Sequence, residues 1–350
     1  MLEVDVRKYM IVLIILWLVP ISPVVSEEMP QAVPLSDSVV FFKVPFVATC
    51  GDRVLFFDSS ENSGSQLTVF SLSNGKKETS FSIRNGQGPC EGLDLFPLGC
   101  QNSEWLVVKS GNKQLFRFDQ NGHCKGVEDF PLIGKHLLNV FFADMCGGEM
   151  VSIHSIFTKR KLGYVFVYTD ADGSQKLLLK VANPSSVMPP RPLLTRHFAV
   201  LVDQTGNSRT RFQLRVFRIS DGKEHELHLK FVLPETKFEI AQSKEELRQA
   251  GFNPKNFSNF SIKKLNRFIF KDSDRDQIYL NETVEKSKLD HRRFVHMVDL
   301  SSGTDTIREI PFNFNPLAAV PGRGWVGVIE TKEGDYIPGV LPQPVETKKP

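Results

Sequence analysis

Cysteine is scarce in this chain, and neither sign of charge dominates. Its 350 residues include 5 Cys and 3 Trp, and 43 Lys+Arg stand against 40 Asp+Glu, a formal net charge of +3. So small an imbalance gives no electrostatic footprint for nucleic acid, which is not expected as a partner. The cysteines are odd in number and include no Cys-x-x-Cys pair, which argues against a zinc ribbon. A Gly-x-Ser-x-Gly elbow, a His-Glu-x-x-His helix and a phosphate-binding glycine loop are all missing. Gly86-Gln87-Gly88 precedes a strand rather than a helix, so it is not a dinucleotide fingerprint. Asp272-Ser273-Asp274-Arg275-Asp276 fails as a calcium loop, because Gln277 stands where glycine is needed and Thr283 where the last carboxylate belongs. The sequence thus names no catalytic residue, no metal and no cofactor.

Long hydrophobic runs are also missing, with one exception. Met10–Val19 is uninterruptedly apolar, follows Arg7 and Lys8, and is broken by Pro20 and Pro23. It is short for a membrane span of about 20 residues and reads as a signal peptide, residues 1–26, cleaved near Ser26. Glu3 and Asp5 dilute its basic flank, which leaves an uncleaved anchor as the alternative. The mature chain is expected to be secreted or periplasmic and to lack a membrane span. Three glycosylation sequons, at Asn256, Asn259 and Asn281, matter only in a glycosylating host.

Aromatic residues are plentiful: 28 are Phe, and 41% of the chain is hydrophobic, enough for a sizeable core. Five apolar stretches each end in a turn dipeptide with glycine at 75, 122, 173, 222 or 303. Asn-Gly and Asp-Gly accept the positive φ of a tight hairpin, so each marks a strand reversal. Upstream of the turns a second pattern occurs six times, an apolar strand closing on a polar residue. Its copies are Val54–Asp58, Trp105–Lys109, Met150–His154, Ala199–Asp203, Phe268–Asp272 and Val326–Glu330. The unit is four antiparallel strands, a to d, recurring about every 50 residues, which is blade length. The expected fold is therefore all-β: a six-bladed β-propeller over residues 38–340 with a tail at 341–350. Its sixth blade is short of one strand, which Ser38–Val44 is expected to supply, closing the ring. An insertion at 234–266 carries a helix that Ser243 would cap and Gly251 would end, and Ser273–Arg293 reads as a charged b–c loop.

Gly86-Gln87-Gly88-Pro89-Cys90-Glu91, followed by Phe96-Pro97, resembles the G-x-G-P-G-E segment between blades of bacterial NHL-like six-bladed β-propellers. The next unit, Trp105 to Gly122, is similar to one NHL repeat, so the resemblance covers about one blade; Cys90 and Gly92 depart from the pattern. It implies an exported propeller with Gly86, Gly88, Pro89 and Glu91 as a structural linker. It also implies that the b–c and d–a loops form the ligand face.

The strand-b residues Asp58, Lys109, His154, Asp203, Asp272 and Glu330 would then ring one mouth of the ring and are the candidate binding residues. The plainer reading is that each satisfies loop backbone amides. Cys50, Cys100 and Cys146 fall in successive a–b turns, Cys124 after a c–d turn, and Cys90 on the other face; free, buried thiols are the expectation. The functional expectation is a non-catalytic binding or scaffold propeller for a protein, peptide or glycan. The alternative is a metal-assisted hydrolase or lyase of the lactonase-like kind.

Overall fold

A computed structural model describes residues 30–60, 64–93, 95–109, 114–130, 137–158, 161–182, 191–203, 212–229, 236–249, 251, 253, 269–272, 274–287 and 290–342. Residues 1–29, where the signal peptide is expected, together with Asn256, Asn259 and about half of the 234–266 insertion lie outside them.

The chain enters at β1 (Val33–Pro34) and then lays down blades in sequence order. Blade 1 is β2 (Phe46–Cys50), β3 (Arg53–Ser60), β4 (Gly64–Ser71) and β5 (Lys77–Ile83). Blade 2 is β6 (Leu95–Gln101), β7 (Glu104–Lys109), β8 (Gln114–Phe118) and β9 (Cys124–Asp129). Blade 3 is β10 (Leu137–Cys146), β11 (Glu149–Thr158), β12 (Lys161–Thr169) and β13 (Gln175–Ala182). Blade 4 is β14 (Arg191–Leu194), β15 (Phe198–Asp203), β16 (Phe212–Arg218) and β17 (Glu224–Leu229). Helix α1 (Lys237–Gln249) precedes blade 5, which is β18 (Ile269–Asp272), β19 (Gln277–Glu285), β20 (His291–Asp299) and β21 (Asp305–Ile310). Blade 6 is β22 (Phe314–Val320), β23 (Gly324–Glu330), β24 (Tyr336–Leu341) and, as its outer strand, β1. All pairs within the blades are antiparallel, so this is a six-bladed β-propeller.

Strand b is apolar at consecutive positions because a blade is buried on both faces. In β3, Leu55 and Phe57 pack on Trp105, Val107 and Phe116 of blade 2, whereas Val54 and Phe56 pack on Val320, Val326 and Val328 of blade 6. Equivalent clusters fill the other junctions, and the one between blades 6 and 1 closes the ring. Gly75, Gly122, Gly173, Gly222 and Gly303 all have positive φ, between 68° and 89°, as the turn dipeptides require.

Four expectations about the strands and the helix need correction. The closing strand is Val33–Pro34 rather than Ser38–Val44: Val33 pairs with Val340, and within the later stretch Phe41 alone bridges, to Tyr336. Proline lacks an amide donor and suits such an edge, while Phe41 stacks on Phe56 at 5.6 Å. Phe268–Asp272 was assigned to strand b, but Ile269–Asp272 is the inner strand, and strand b is β19. Ser273–Arg293 is therefore no loop insertion; Asn281 and Glu282, both buried inside β19, disguise it as polar. Helix α1 begins before Ser243, with Thr236 accepting the Ile240 amide at 3.1 Å, although Gly251 (φ 81°) does follow its end.

The cysteines pair, contrary to expectation: Cys50 with Cys100 (Cα–Cα 5.5 Å) and Cys90 with Cys124 (6.1 Å), leaving Cys146 outside both bonds. The inner strands of blades 1 and 2 are still close where Cys50 and Cys100 end them. Each step across a blade adds roughly 20–25° of twist, so β9 crosses obliquely and brings Cys124 to the linker loop. Gly122 shows the same tilt, since a Cβ there would lie 2.2 Å from the Phe81 ring of blade 1.

Candidate functional site

The two ends of the ring differ. At the end of the a–b turns, polar groups are consumed in holding blades together. Lys271 donates its three ammonium hydrogens to Asp144 Oδ2 (2.6 Å), Met145 O (2.7 Å) and Leu194 O (2.7 Å), and Leu194 N donates to the same Asp144 oxygen (2.7 Å). Blades 3, 4 and 5 are thus joined through one lysine. Asp276 accepts from Thr195 Oγ1 (2.7 Å), His197 N (3.0 Å) and His197 Nδ1 (2.6 Å), joining blade 5 to blade 4. Burial alone would raise its pKa, but these donors outweigh that and hold it below the usual carboxylate value. Arg323 Nη2 meets Asp52 Oδ1 at 3.3 Å between blades 6 and 1, and Cys50–Cys100 ties blades 1 and 2.

The opposite end carries the b–c and d–a loops. Five of the six strand-end candidates have described side chains, and these do not form one ring. Lys109 is buried; its Nζ donates to Glu91 O at 3.3 Å and its methylenes lie over Gly92, where a Cβ would come within 2.9 Å of Cε. His154 is 0% exposed, with Nε2 2.7 Å from Ser152 Oγ and its ring edge-on to Phe130; this is a core histidine. Asp272 ends an inner strand, so it lies at the a–b end, where its Oδ1 accepts the Asp274 amide at 3.1 Å and burial raises its pKa. Asp58 is half-buried, and desolvation raises its pKa against the opposing charge of Lys43. Asp203 ends β15, and its side chain lies outside the described residues. Glu330 ends β23 half-buried at the loop end.

The linker closes on itself. Glu91 Oε2 accepts the Gly88 amide at 3.0 Å, and a Cβ on Gly86 or Gly88 would meet that oxygen at 2.1 or 2.8 Å. The two glycines therefore make room for the carboxylate, Pro89 is exposed at the loop's edge, and Cys90 anchors the loop to Cys124.

The loop end also holds a residue that the sequence reading missed. Arg293, 4% exposed, lies on the face of blade 5 that packs against blade 6. Nη1 donates to Phe314 O at 2.6 Å, while Nε is buried with no hydrogen-bond partner among the described residues. Its guanidinium carbon sits 5.1 Å from the centre of the Phe312 ring, which also stacks with His291 at 5.1 Å. Burial lowers the Arg293 pKa to about 10, against the charges of Glu330 and Tyr336, so it stays protonated at neutral pH. Burial and Glu330 together raise Tyr336. One step deeper on that face is Asn281, 1% exposed, whose side-chain nitrogen and oxygen are both without partners among the described residues. So enclosed an amide is no glycosylation acceptor. Arg293 escaped notice because it fell in the supposed loop 273–293. Two consecutive basic residues, Arg292 and Arg293, opposite the alternating Thr283 and Val284, are the signal that could have found it.

The loop end thus carries Arg293 at the junction of blades 5 and 6, and Tyr336 at the junction of blades 6 and 1. Among the described residues no group of three His, Cys, Asp or Glu side chains is placed to hold a metal ion, and no helix is long and apolar enough to cross a membrane.

Fold and loop arrangement define the class, a six-bladed β-propeller with one stapled end and one loop-bearing end. No known family profile and no curated protein matches the chain. Among solved structures it is similar to a calcium-binding protein, regucalcin, from Agrobacterium tumefaciens, at 12% identity and a TM-score of 0.47 over 90% of this chain and 96% of that one.

Proposed function

We propose that this chain is an exported, non-catalytic binding propeller that holds a protein, peptide or glycan at its b–c and d–a loop end. The observation that carries this reading is the contrast between the two ends. Polar groups at the a–b end are spent between blades, whereas at the loop end Arg293 keeps a buried guanidinium nitrogen without a partner among the described residues, and Glu330 and Tyr336 stand half-buried. Two disulfides support export, because such bonds persist in oxidising compartments. The folded-back Gly86–Glu91 linker supports the NHL-like reading as a part of the same proposal.

Site-specific photo-crosslinking in the native host tests it. A crosslinker in place of Phe42 or Phe312, both exposed at the loop end, is expected to capture a discrete adduct, and one in place of Arg323, at the a–b end, is not. Equal capture from both ends, or none from the loop end, refutes the reading. Thiol labelling checks export: Cys50, Cys90, Cys100 and Cys124 are expected to react only after reduction.

A further inference from the structure

We propose that the Cys90–Cys124 disulfide is a redox site: a dithiol opens it, and the linker loop then lifts off Lys109. From Arg84 to Gly92 this loop is a closed unit. Gly92 N donates to Arg84 O at 3.0 Å across its neck, and within it Gly88 N donates to Glu91 Oε2 at 3.0 Å and Glu91 N to Gly88 O at 3.1 Å. It can therefore move as one piece. Cys90 is the one cysteine it contains, so the bond to Cys124 on β9 is its one covalent tie beyond its own ends.

The closed position is unfavourable in two respects. Cys90 has φ 55°, a left-handed backbone that a residue with a β-carbon seldom adopts. Beneath the loop, Lys109 is 8% exposed, with its methylenes against Gly92. Its ammonium has three hydrogens to donate and meets one acceptor among the described residues, Glu91 O at 3.3 Å. A buried charge with so few partners is costly, and lifting the loop returns it to water. Two things oppose that movement. Cys90 packs in the cluster between blades 1 and 2, and its bond, across a sequence separation of 34, limits how far the loop can travel. Breaking the bond removes the covalent restraint and leaves the two unfavourable features in place.

The two disulfides differ in access. Cys124 is exposed, on a strand exposed along nearly its whole length, whereas Cys50 and Cys100 are half-buried against the cluster between blades 1 and 2. Exchange begins when a thiolate attacks an accessible sulfur, and exposed bonds are the labile ones. One thiolate of the dithiol attacks Cys124 Sγ, the disulfide breaks, and Cys90 leaves as a thiolate that takes up a proton. The second thiol of the reagent then displaces Cys124 from the mixed disulfide. The reagent is oxidised by two electrons to its own disulfide, and the protein gains two thiols. Open, the loop end presents a primary amine that the closed loop covers, beside the exposed Leu93.

The test treats the oxidised protein with increasing dithiothreitol under native conditions and traps thiols with iodoacetamide. Amines are then pulsed with an acylating ester, and both labels are read by peptide mass spectrometry. Cys90 and Cys124 are expected to be trapped at least tenfold faster than Cys50 and Cys100. In the species with that bond alone open, Lys109 acylation should rise at least tenfold, while that of Lys223, exposed on blade 4, stays unchanged. Reoxidation with oxidised glutathione in place of trapping should restore the protection of Lys109. Cys90→Ser combined with Cys124→Ser should show the raised acylation without any reductant. The proposal is overturned if Cys50–Cys100 opens first, or if Lys109 stays protected once Cys90–Cys124 is open. Acylation of Lys109 as fast as Lys223 in the oxidised protein, or protection that reoxidation does not restore, overturns it as well. None of these readouts uses a ligand, so their failure would leave the binding-propeller reading standing.

Discussion

Raising the pH should weaken this protein through one histidine. On the face of blade 5 that packs against blade 4, His296 Nε2 lies 2.6 Å from Glu282 Oε2 and Nδ1 lies 3.5 Å from Asp305 Oδ2. The His296 side chain is 4% exposed and both carboxylates 0%. Burial disfavours the charged ring, but hydrogen bonds and charge from Asp305 and Glu282 outweigh it and raise the pKa from 6.5 to about 9. Between those values the folded state holds a proton that the unfolded state has released. The stabilisation is therefore complete below pH 6.5 and is lost as pH rises through about 9. At about 1.4 kcal/mol per pH unit across that window, the loss is about 3 kcal/mol by pH 10. Urea unfolding of the protein from pH 6 to 10, beside His296→Gln, measures it. The variant should be less stable at pH 7 by about 3–5 kcal/mol, because two buried carboxylates lose their cation, and should show a flatter profile above pH 7. Equal slopes for the two proteins would refute the assignment, whatever the absolute stabilities.

Two further outcomes follow from the stapled end. Lys271→Met keeps the stem but removes three hydrogen bonds that link blades 3, 4 and 5; a loss of about 3 kcal/mol in urea is expected, and less than 1 kcal/mol would show the contacts to be dispensable. Cys50→Ser opens a bridge with a sequence separation of 50, for which chain entropy allows about 4 kcal/mol; an unchanged melting temperature would mean that this bond constrains nothing.

Much of the fold was legible because its signals are local. A turn that needs positive φ selects glycine, so Gly75, Gly122, Gly173, Gly222 and Gly303 announce their hairpins without reference to the rest of the chain. Blade 5 was misread because Asn281 and Glu282 are buried polar residues whose burial only the neighbouring blades create. The closing segment shows the same limit: Ser38–Val44 looks more like a strand than Val33–Pro34, yet the partner β24 decides which residues pair. Cysteine pairing depends on accumulated twist, a property of the assembled sheet. In the candidate site, Glu330 was visible as a polar strand end, but Arg293 acquires its role only when blade 6 covers it.

The two disulfides, Lys271 and Asp276 bear on the proposal that the ligand sits at the loop end. Except for the Cys90–Cys124 bridge, these ties cluster at the a–b end, so blade spacing is fixed there. Away from Cys90 and Arg293, a change of length or residue in a b–c or d–a loop then alters the surface without breaking these ties. The same change in an a–b turn would strand Lys271 or Asp276 beside buried partners, at a cost of several kcal/mol. The chain's longest interruption fits this division. It runs from Leu229 to Ile269, between the outer strand of blade 4 and the inner strand of blade 5, and carries helix α1. Thr236, just before α1, donates its hydroxyl to Glu285 O at the b–c tip of blade 5. That contact sets the start of α1 on the blade whose strands present His291 and Arg293.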